Sequence, residues 1–374
     1  MNKIINELLT ISKVIGRDKY LIQGGGGNIS IKNEKSTMYI KASGSFLRDM
    51  DEKKGYVKLK YKNIFKFFAN LHFKDKNHII ENKITDYIEN LVIKKGEKPS
   101  MEVSMHAFLD KYVIHTHPVY LNALLCSQNG RAIINNIFAT MRENFIWIDY
   151  ANPGYMLGYK IYKTIMGQSS VSTLNSLRET NKAKIYFLEN HGLIVTGSKL
   201  RFTIQLTKKI NFKAKEWFIE NEILKEDLEF DKPHLLSGFS SKSFFFSNNP
   251  LLIRYGEKLK ELKKILNTVL FPDFAVYCLG NFKYLDCKNK KNLNDIIKKI
   301  NFKENSKIIF LRGRGVLYFA SEKKADALHE ILLSHIFIID LIINNNNQPK
   351  KINTKDIKYI LNMKMEKHRS KKLA

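Results

Sequence analysis

The alternation of hydrophobic and polar positions divides the first two thirds of the chain into short strands and amphipathic helices. Apolar residues at helical spacing predict helices over residues 1–16, 77–94, 101–111, 120–129 and 200–225, and another after Pro153. Runs rich in β-branched and aromatic residues predict strands over 28–32, 38–41, 112–117, 145–150, 184–189 and 193–196. Strands and helices mixed in this order indicate an α/β layered domain whose sheet is at least partly antiparallel.

The pattern breaks between Glu229 and Asn249, where Pro, Gly and Ser collect beside a run of three phenylalanines. Beyond Pro250 it predicts helices over 250–266 and 322–343, strands over 275–279, 307–311 and 316–319, and a final basic helix. We therefore expect a first domain over residues 1–232, a linker over 233–249, and a small α/β domain with a basic C-terminal tail over 250–374.

The net charge of +27 raises the question of nucleic-acid binding. Lysine supplies most of this charge and is spread along the whole chain, and the only basic cluster is the tail at 364–372. Dispersed lysine does not form the concentrated basic surface of a nucleic-acid site. We therefore do not expect specific nucleic-acid binding.

Cysteine usage and hydropathy indicate the compartment. The three cysteines lie in apolar runs and are odd in number, which favours a reducing environment over a disulfide framework. The N-terminus lacks the long apolar core of a signal peptide, and the longest apolar run, Ile331–Ile343, is too short to span a bilayer. We expect a cytoplasmic protein that does not associate with membranes.

Two histidines, His115 and His117, are the most informative pair of side chains. They lie in a predicted strand, which directs residues i and i+2 to the same face. Two neutral imidazoles on one face supply part of a catalytic zinc site, which has three protein ligands and an open position. The pair is also typical of buried hydrogen-bonded histidines, so a third ligand is needed to distinguish a metal site from such a pair.

His191 and Glu102 extend this pair. His191 lies at a turn between two strands, where Gly192 frees the backbone, so the imidazole either points into a cleft or caps the turn. With it the chain has the three histidines of an open zinc site. Glu102 begins the helix before the His115 strand, where its charge suits the helix dipole, and beside a metal it can carry protons. We expect His106, on the same helical face, to have a supporting or packing role.

Four consecutive glycines, at 24–27, precede Asn28. Glycine N–H groups can approach an anion closely, and the Asn28 amide adds a donor. Later serine and glycine positions offer similar groups, although each such segment is also typical of a flexible loop. Together, residues 24–28, 43–45 and Ser100 predict a phosphate pocket of neutral donors.

The motifs Gly-rich-Asn-Ile-Ser, Ala-Ser-Gly, Pro-Ser-x-Glu, His-Thr-His-Pro and Asn-His-Gly, in this order, resemble the class II aldolase/adducin family over about residues 1–225. Its enzymatic members include fuculose-1-phosphate and rhamnulose-1-phosphate aldolases. The resemblance implies a three-layer α/β/α sandwich around a mostly antiparallel sheet, and a homo-tetramer. The chain departs from the family where glycine replaces a frequent Thr in the Gly-rich loop, and where Met101 replaces a second serine before the Glu.

The resemblance also implies roles for individual residues. One zinc ion per chain would be held by His115, His117 and His191, with Glu102 as the catalytic acid/base. A small phosphorylated sugar would be bound through Gly27, Asn28, Ser43, Gly44 and Ser100. The implied activity is that of a zinc-dependent lyase of carbohydrate metabolism, which cleaves a carbon–carbon bond of a ketose phosphate by retro-aldol chemistry through an enediolate.

Several alternatives stay open. Dehydratases of sugar phosphates and decarboxylases of sugar-acid phosphates use the same constellation of residues. Epimerases of pentulose phosphates carry Asp in place of the Glu, so Glu102 disfavours them. A non-catalytic, adducin-like binding scaffold is disfavoured because all three histidines are retained. Residues beyond about 240 resemble an extra region of longer family members, with Leu270-Phe271-Pro272-Asp273 as its most recognisable element, and the sequence assigns this region no role.

Overall fold

The structure is a computed structural model that describes residues 3–69, 78–93, 96–141, 143–167, 183–236, 244–287, 293, 297 and 307–372. The α-helices of the described residues are α1 (Lys3–Gly16), α2 (Lys62–Ala69), α3 (His78–Asn90), α4 (Val103–Ala107), α5 (Val119–Leu125), α6 (Gly130–Phe138), α7 (Tyr155–Gly167), α8 (Leu200–Glu220), α9 (Pro250–Glu257), α10 (Leu259–Leu266), α11 (Pro272–Tyr277), α12 (Glu322–Asn344), α13 (Thr354–Asn362) and α14 (Lys364–Lys372). The ends of the helix predicted over 77–94, and part of the predicted linker, lie outside the described residues.

The strands are β1 (Asn28–Lys32), β2 (Thr37–Lys41), β3 (Tyr56–Lys60), β4 (Tyr112–Thr116), β5 (Asn144–Ile148), β6 (Ala183–Leu188), β7 (Gly192–Gly197), β8 (His234–Leu235), β9 (Phe244–Ser247), β10 (Phe282–Leu285), β11 (Ile308–Leu311) and β12 (Gly315–Phe319). The first seven form a sheet of order β3-β2-β1-β4-β7-β6-β5. Its pairs are antiparallel except β5–β6. The predicted mostly antiparallel sheet is therefore confirmed.

Both faces of this large sheet are covered by helices. Leu193 and Val195 of β7 join an apolar core with residues of α5, α6 and α8, whereas Ile194 between them joins a second core with residues of α2, α3, α4 and α7. Successive strand residues point to opposite faces, so a strand buried on both sides is apolar throughout. The predicted α/β/α sandwich is confirmed.

The C-terminal region contains a second sheet, of order β10-β11-β12-β9-β8. The prediction of a linker over 233–249 is corrected, because two strands of this sheet, β8 and β9, fall inside that range. Phe245 of β9 lies opposite Tyr318 of β12 and is buried, as suits an aromatic residue on a pleated surface. A single apolar core contains side chains from both sheets, so the boundary near residue 232 stays a prediction.

Two other predictions for this region were wrong. Residues 275–279, predicted as a strand, belong largely to helix α11 and the turn after it. Pro272 occupies the first turn and Asp273 follows it, which favours a helix start, and a short apolar run does not by itself distinguish a strand from a helix. The single helix predicted over 250–266 is two helices, since the backbone leaves the helical region at Lys258 (φ −107°, ψ 70°). None of the described helices is long and apolar enough to cross a membrane.

Candidate metal centre

The three predicted metal ligands converge at one end of the large sheet. His115 lies in β4, His117 follows its end, and His191 precedes β7. Because β4 and β7 pair with Thr116 opposite Leu193, the end of one strand lies beside the start of the other. The Nε2 atoms of His115 and His117 are 3.1 Å apart, and the ligand atoms of all three histidines lie within 4.8 Å of one another. A tetrahedral zinc, with Zn–N distances of about 2.0–2.1 Å, needs imidazole nitrogens gathered at this spacing.

The turn before β7 has a backbone that aims His191 inward. Asn190 has φ +52°, in the left-handed region that Asn tolerates better than most residues. A Cβ atom on Gly192 would lie 2.3 Å from the Thr116 carbonyl oxygen, so only glycine allows this close approach of the two strands. The Asn-His-Gly motif is thus explained by its local geometry.

Hydrogen bonds orient two of the three rings. Nδ1 of His115 donates to the Leu193 carbonyl at 3.0 Å, and Nδ1 of His117 lies 3.0 Å from a carboxylate oxygen of Asp273. These contacts leave both Nε2 atoms facing the shared centre, the arrangement expected of metal-binding histidines. Nδ1 of His191 has no partner among the described residues. Burial lowers the pKa of His191 to about 4, although Glu102 opposes the shift, so the ring stays neutral at pH 7 as a ligand must.

Glu102 immediately precedes α4 and reaches the same centre. Its Oε1 atom lies 3.2 Å from Nε2 of His191 and 3.5 Å from Nε2 of His115. Burial alone would raise the pKa of Glu102, but the two imidazoles outweigh it and hold that pKa well below its usual range. The Glu102 carboxylate is therefore in position either to join a metal's ligands or to carry a proton beside it.

Four of the five predicted phosphate-binding residues line one pocket with these groups, namely Gly27, Ser43, Gly44 and Ser100. The fifth, Asn28, pairs with His115 across β1 and β4, and both polar atoms of its amide are buried without a partner among the described residues. The Ser100 hydroxyl accepts from the Glu102 N–H at 3.3 Å directly before α4, which ends at Ala107 rather than near 111 as predicted. His106 contacts Ser30 at 2.8 Å and is buried, in line with its predicted packing role.

Lys41 is a functional candidate that sequence reasoning missed. This buried β2 residue donates from Nζ to the carbonyls of Gly25 at 2.5 Å and Gly27 at 2.8 Å. Burial lowers its pKa to about 8. The predicted loop of neutral donors is therefore backed by an ammonium group. Its signal in the sequence is a lysine at the end of an otherwise buried strand, directly before Ala-Ser-Gly.

The C-terminal region supplies a second set of missed residues. Asp273 of α11 and Arg369 of α14 line the same pocket, together with Pro272, Met365 and Glu366. The Arg369 guanidinium donates to Asp273 at 2.5 Å. Burial opposes ionisation of Asp273, but Arg369 and the His117 ring hold the pKa of this carboxyl well below its usual range. Only the Leu-Phe-Pro-Asp motif signalled this contribution, since α14 reads as a basic tail.

The free space at the centre is small. The pocket has a cavity volume of about 30 Å³, against several hundred for an ordinary ligand site. Side chains of Met365, Glu366 and Arg369 on α14 close one side of it. Burial raises the pKa of Glu366 to about 7, while Arg369 opposes that shift.

One protein family matches the first part of the chain. The family described as Class II Aldolase and Adducin N-terminal domain matches residues 6–217. The uncharacterized oxidoreductase YuxG of Bacillus subtilis is 28% identical over 225 residues, which are 58% of this chain and 30% of that relative. The chain therefore spans about a third of the length of this relative.

Two of the similar solved structures each cover 58% of the chain. One is the N-terminal class II aldolase domain of a conserved Thermoplasma acidophilum protein, at 21% identity and TM-score 0.47, covering 58% of this chain and 95% of that one. The other is YgbL of Klebsiella pneumoniae, described as a putative aldolase/epimerase/decarboxylase, at 20% identity and TM-score 0.41, covering 58% of this chain and 89% of that one.

Proposed function

The chain belongs to the class II aldolase and adducin family, and from this we propose that it is a zinc-dependent lyase that cleaves a carbon–carbon bond of a ketose phosphate. The observation that carries the proposal is the convergence of three imidazole Nε2 atoms with the Glu102 carboxylate in one buried pocket. The match to the family covers the metal and acid/base positions but not the C-terminal region.

His115, His117 and His191 would hold the zinc ion, which supplies a Lewis acid for the substrate oxygens. Glu102, beside two of these rings, would move the proton at the carbon where the bond breaks or forms. The substrate phosphate would lie against the Gly27 and Ser43 loops, where the buried Lys41 ammonium adds positive charge.

Entry of a substrate would need a movement of α14. A cavity of about 30 Å³ has room for little more than one or two water molecules, far less than a sugar phosphate needs. Because Met365 and Arg369 close the pocket from α14, the C-terminal helix would move aside to admit substrate and return over it.

The wider setting is also proposed. The three cysteines are buried and no disulfide joins them, which supports a reducing, cytoplasmic location. The family resemblance supports a homo-tetramer. Residues 1–232 would form the catalytic domain and the C-terminal region would complete it. Sugar-phosphate dehydration and sugar-acid phosphate decarboxylation stay the second candidates, because the same residues support them.

The decisive experiment is a screen of zinc-loaded protein against ketose 1-phosphates and sugar-acid phosphates, with coupled detection of dihydroxyacetone phosphate and separate detection of carbon dioxide. We expect dihydroxyacetone phosphate from a ketose 1-phosphate. Glu102→Gln should lower turnover by about 10²–10⁴-fold while keeping zinc, as loss of a general acid/base does. Wild-type turnover in that variant, or carbon dioxide as the product, would reject the aldolase assignment, and no turnover of any substrate would favour the scaffold.

A further inference from the structure

Asp273 lies between a proposed metal ligand and an arginine from the C-terminal helix. One of its carboxylate oxygens is 3.0 Å from Nδ1 of His117, and the other accepts from Arg369 at 2.5 Å. Asp273 is 4% exposed and His117 8%. A buried carboxylate held on both sides has a fixed direction, so it can fix the direction of the ring it contacts.

We propose that Asp273 is a positioning residue of the metal centre: its carboxylate sets the orientation and tautomer of the His117 ring, and Arg369 holds that carboxylate in place. The inference rests on the proposed zinc site. Histidine ligands commonly donate their second ring N–H to a carboxylate, which fixes the ring and strengthens the ligand. The contact with Nδ1 leaves Nε2 of His117 facing Nε2 of His115.

The glycine run supports this role independently. A Cβ atom on Gly26 would lie 2.6 Å from the Asp273 oxygen and 2.8 Å from Nδ1 of His117. Any side chain at this position would therefore separate the two groups. The glycine loop thus leaves room for the Asp273–His117 contact, in addition to its proposed role in anion binding.

The C-terminal segment that carries Asp273 is also attached to the metal-binding turn. The side-chain amide of Asn190 donates to the carbonyl of Leu270 at 2.8 Å. Asn190 immediately precedes His191, and Leu270 lies three residues before Asp273. The Leu-Phe-Pro-Asp motif therefore contacts two segments that carry proposed metal ligands. The motif itself lies outside residues 6–217, which match the family.

A matched control lies in the same region of the chain. His329 contacts Asp231 at 2.9 Å, in a buried-histidine pair of similar chemistry, but its other ring nitrogen is taken by Tyr318 at 2.9 Å. Asp231 is more exposed than Asp273. Comparing Asp273→Asn with Asp231→Asn separates loss of a His–Asp pair from loss of metal orientation.

The experiment measures zinc Kd of the full chain by chelator competition, and the visible spectrum of the cobalt-substituted protein. We expect Asp273→Asn to raise the zinc Kd by about 10–100-fold, the usual cost of losing such a partner, and to shift the cobalt bands. Asp231→Asn should leave the Kd within about twofold of wild type and the spectrum unchanged. Arg369→Met should weaken zinc binding less than Asp273→Asn, with partial recovery in Arg369→Lys.

Each outcome has a distinct meaning. Wild-type zinc affinity and cobalt spectrum in Asp273→Asn would overturn this inference and leave the zinc site intact. Equal weakening by Asp231→Asn would also overturn it, by showing a general effect of stability. If Asp273→Asn does not fold, the Arg369 variants test the inference. Wild-type zinc affinity in Arg369→Met would then show that Arg369 does not hold the Asp273 carboxylate for metal binding. Absence of zinc binding by the wild-type protein would overturn both this inference and the proposed function.

Discussion

Buried histidines occur both in the large-sheet region, which ends with α8, and in the C-terminal region after it. Among the described residues, only those of the large-sheet region converge on one centre. His115 and His191 are buried and present Nε2 atoms to a common centre. In the C-terminal region, His329 is bonded through both nitrogens, and His335 donates to the Ile265 carbonyl and stacks on Phe274. Burial of histidine therefore does not identify a metal site. The feature that distinguishes the candidate site is the convergence of three imidazoles on one centre.

The two regions also contribute different chemistry to the pocket. The large sheet supplies the imidazoles and Glu102 from strand ends and a short helix. The C-terminal region supplies Asp273, which contacts His117, and Arg369, which contacts Asp273; both line the pocket. One region would thus build the reactive centre, and the other would orient and cover it.

The largest expected effect tests the difference between the two sets of histidines. His115→Ala removes one of three converging ligands, so zinc affinity should fall by more than about 100-fold, beyond the range for supporting residues. The matched control is His335→Ala, a buried histidine without such neighbours, which should keep zinc binding within about twofold. Metal analysis and chelator competition measure both. Unchanged zinc binding in His115→Ala would show that the three histidines are not the site.

A second prediction concerns the junction between the two regions. Glu81 of α3 is buried and accepts from the Tyr359 hydroxyl of α13 at 3.2 Å. Burial raises its pKa from 4.5 to about 7, although the Tyr359 bond opposes the shift. As the pH rises from 4.5 to 7, the Glu81 carboxyl loses its proton in the unfolded state before it does so in the folded state. The contribution of Glu81 to the free energy of unfolding therefore falls as the pH rises through that window.

Glu81→Gln removes this titration. Relative to wild type, its free energy of unfolding should rise by about 3 kcal/mol between pH 4.5 and pH 8, because a tenfold change in an acid dissociation constant corresponds to about 1.4 kcal/mol. Denaturant unfolding at the two pH values measures the difference. The exposed Glu220→Gln control should change stability by less than about 0.5 kcal/mol at either pH. If the difference in free energy of unfolding between Glu81→Gln and wild type is the same at both pH values, this junction does not hold a neutral carboxyl group.

The smallest expected effect tests whether the glycine loop binds an anion. Lys41→Met removes the ammonium that organises the carbonyls of Gly25 and Gly27. Loss of charge-assisted hydrogen bonds worth about 1.5–3 kcal/mol should raise KM for a phosphorylated substrate by roughly 10–100-fold, with zinc affinity little changed. The exposed Lys60→Met serves as the control. An equal rise in KM for a substrate lacking phosphate would reject an anion site at this loop.

Local pattern predicted six of the seven strands of the large sheet because β-branched and aromatic residues collect in them, and most of its helices because they are amphipathic. It failed where local signals conflicted with distant partners. Residues 244–247 follow a Pro- and Ser-rich stretch and were predicted as linker, yet they pair with β12 more than 65 residues later in the chain. The error at residues 275–279 has a local cause instead: their composition is strand-like, but the proline and aspartate directly before them start a helix.

The sequence by itself predicted the proposed metal ligands, and the structure brings them together. The His-x-His spacing fixes two rings on one strand face, the glycine after His191 permits a close turn, and the family motifs add Glu102. Only the tertiary structure decided what surrounds these groups. Asp273 and Arg369 reach the pocket from more than 150 residues beyond His117, and Lys41 binds the glycine loop only because β2 lies beside β1. Contacts of this kind depend on the packing of distant segments, which no local spacing of residues records.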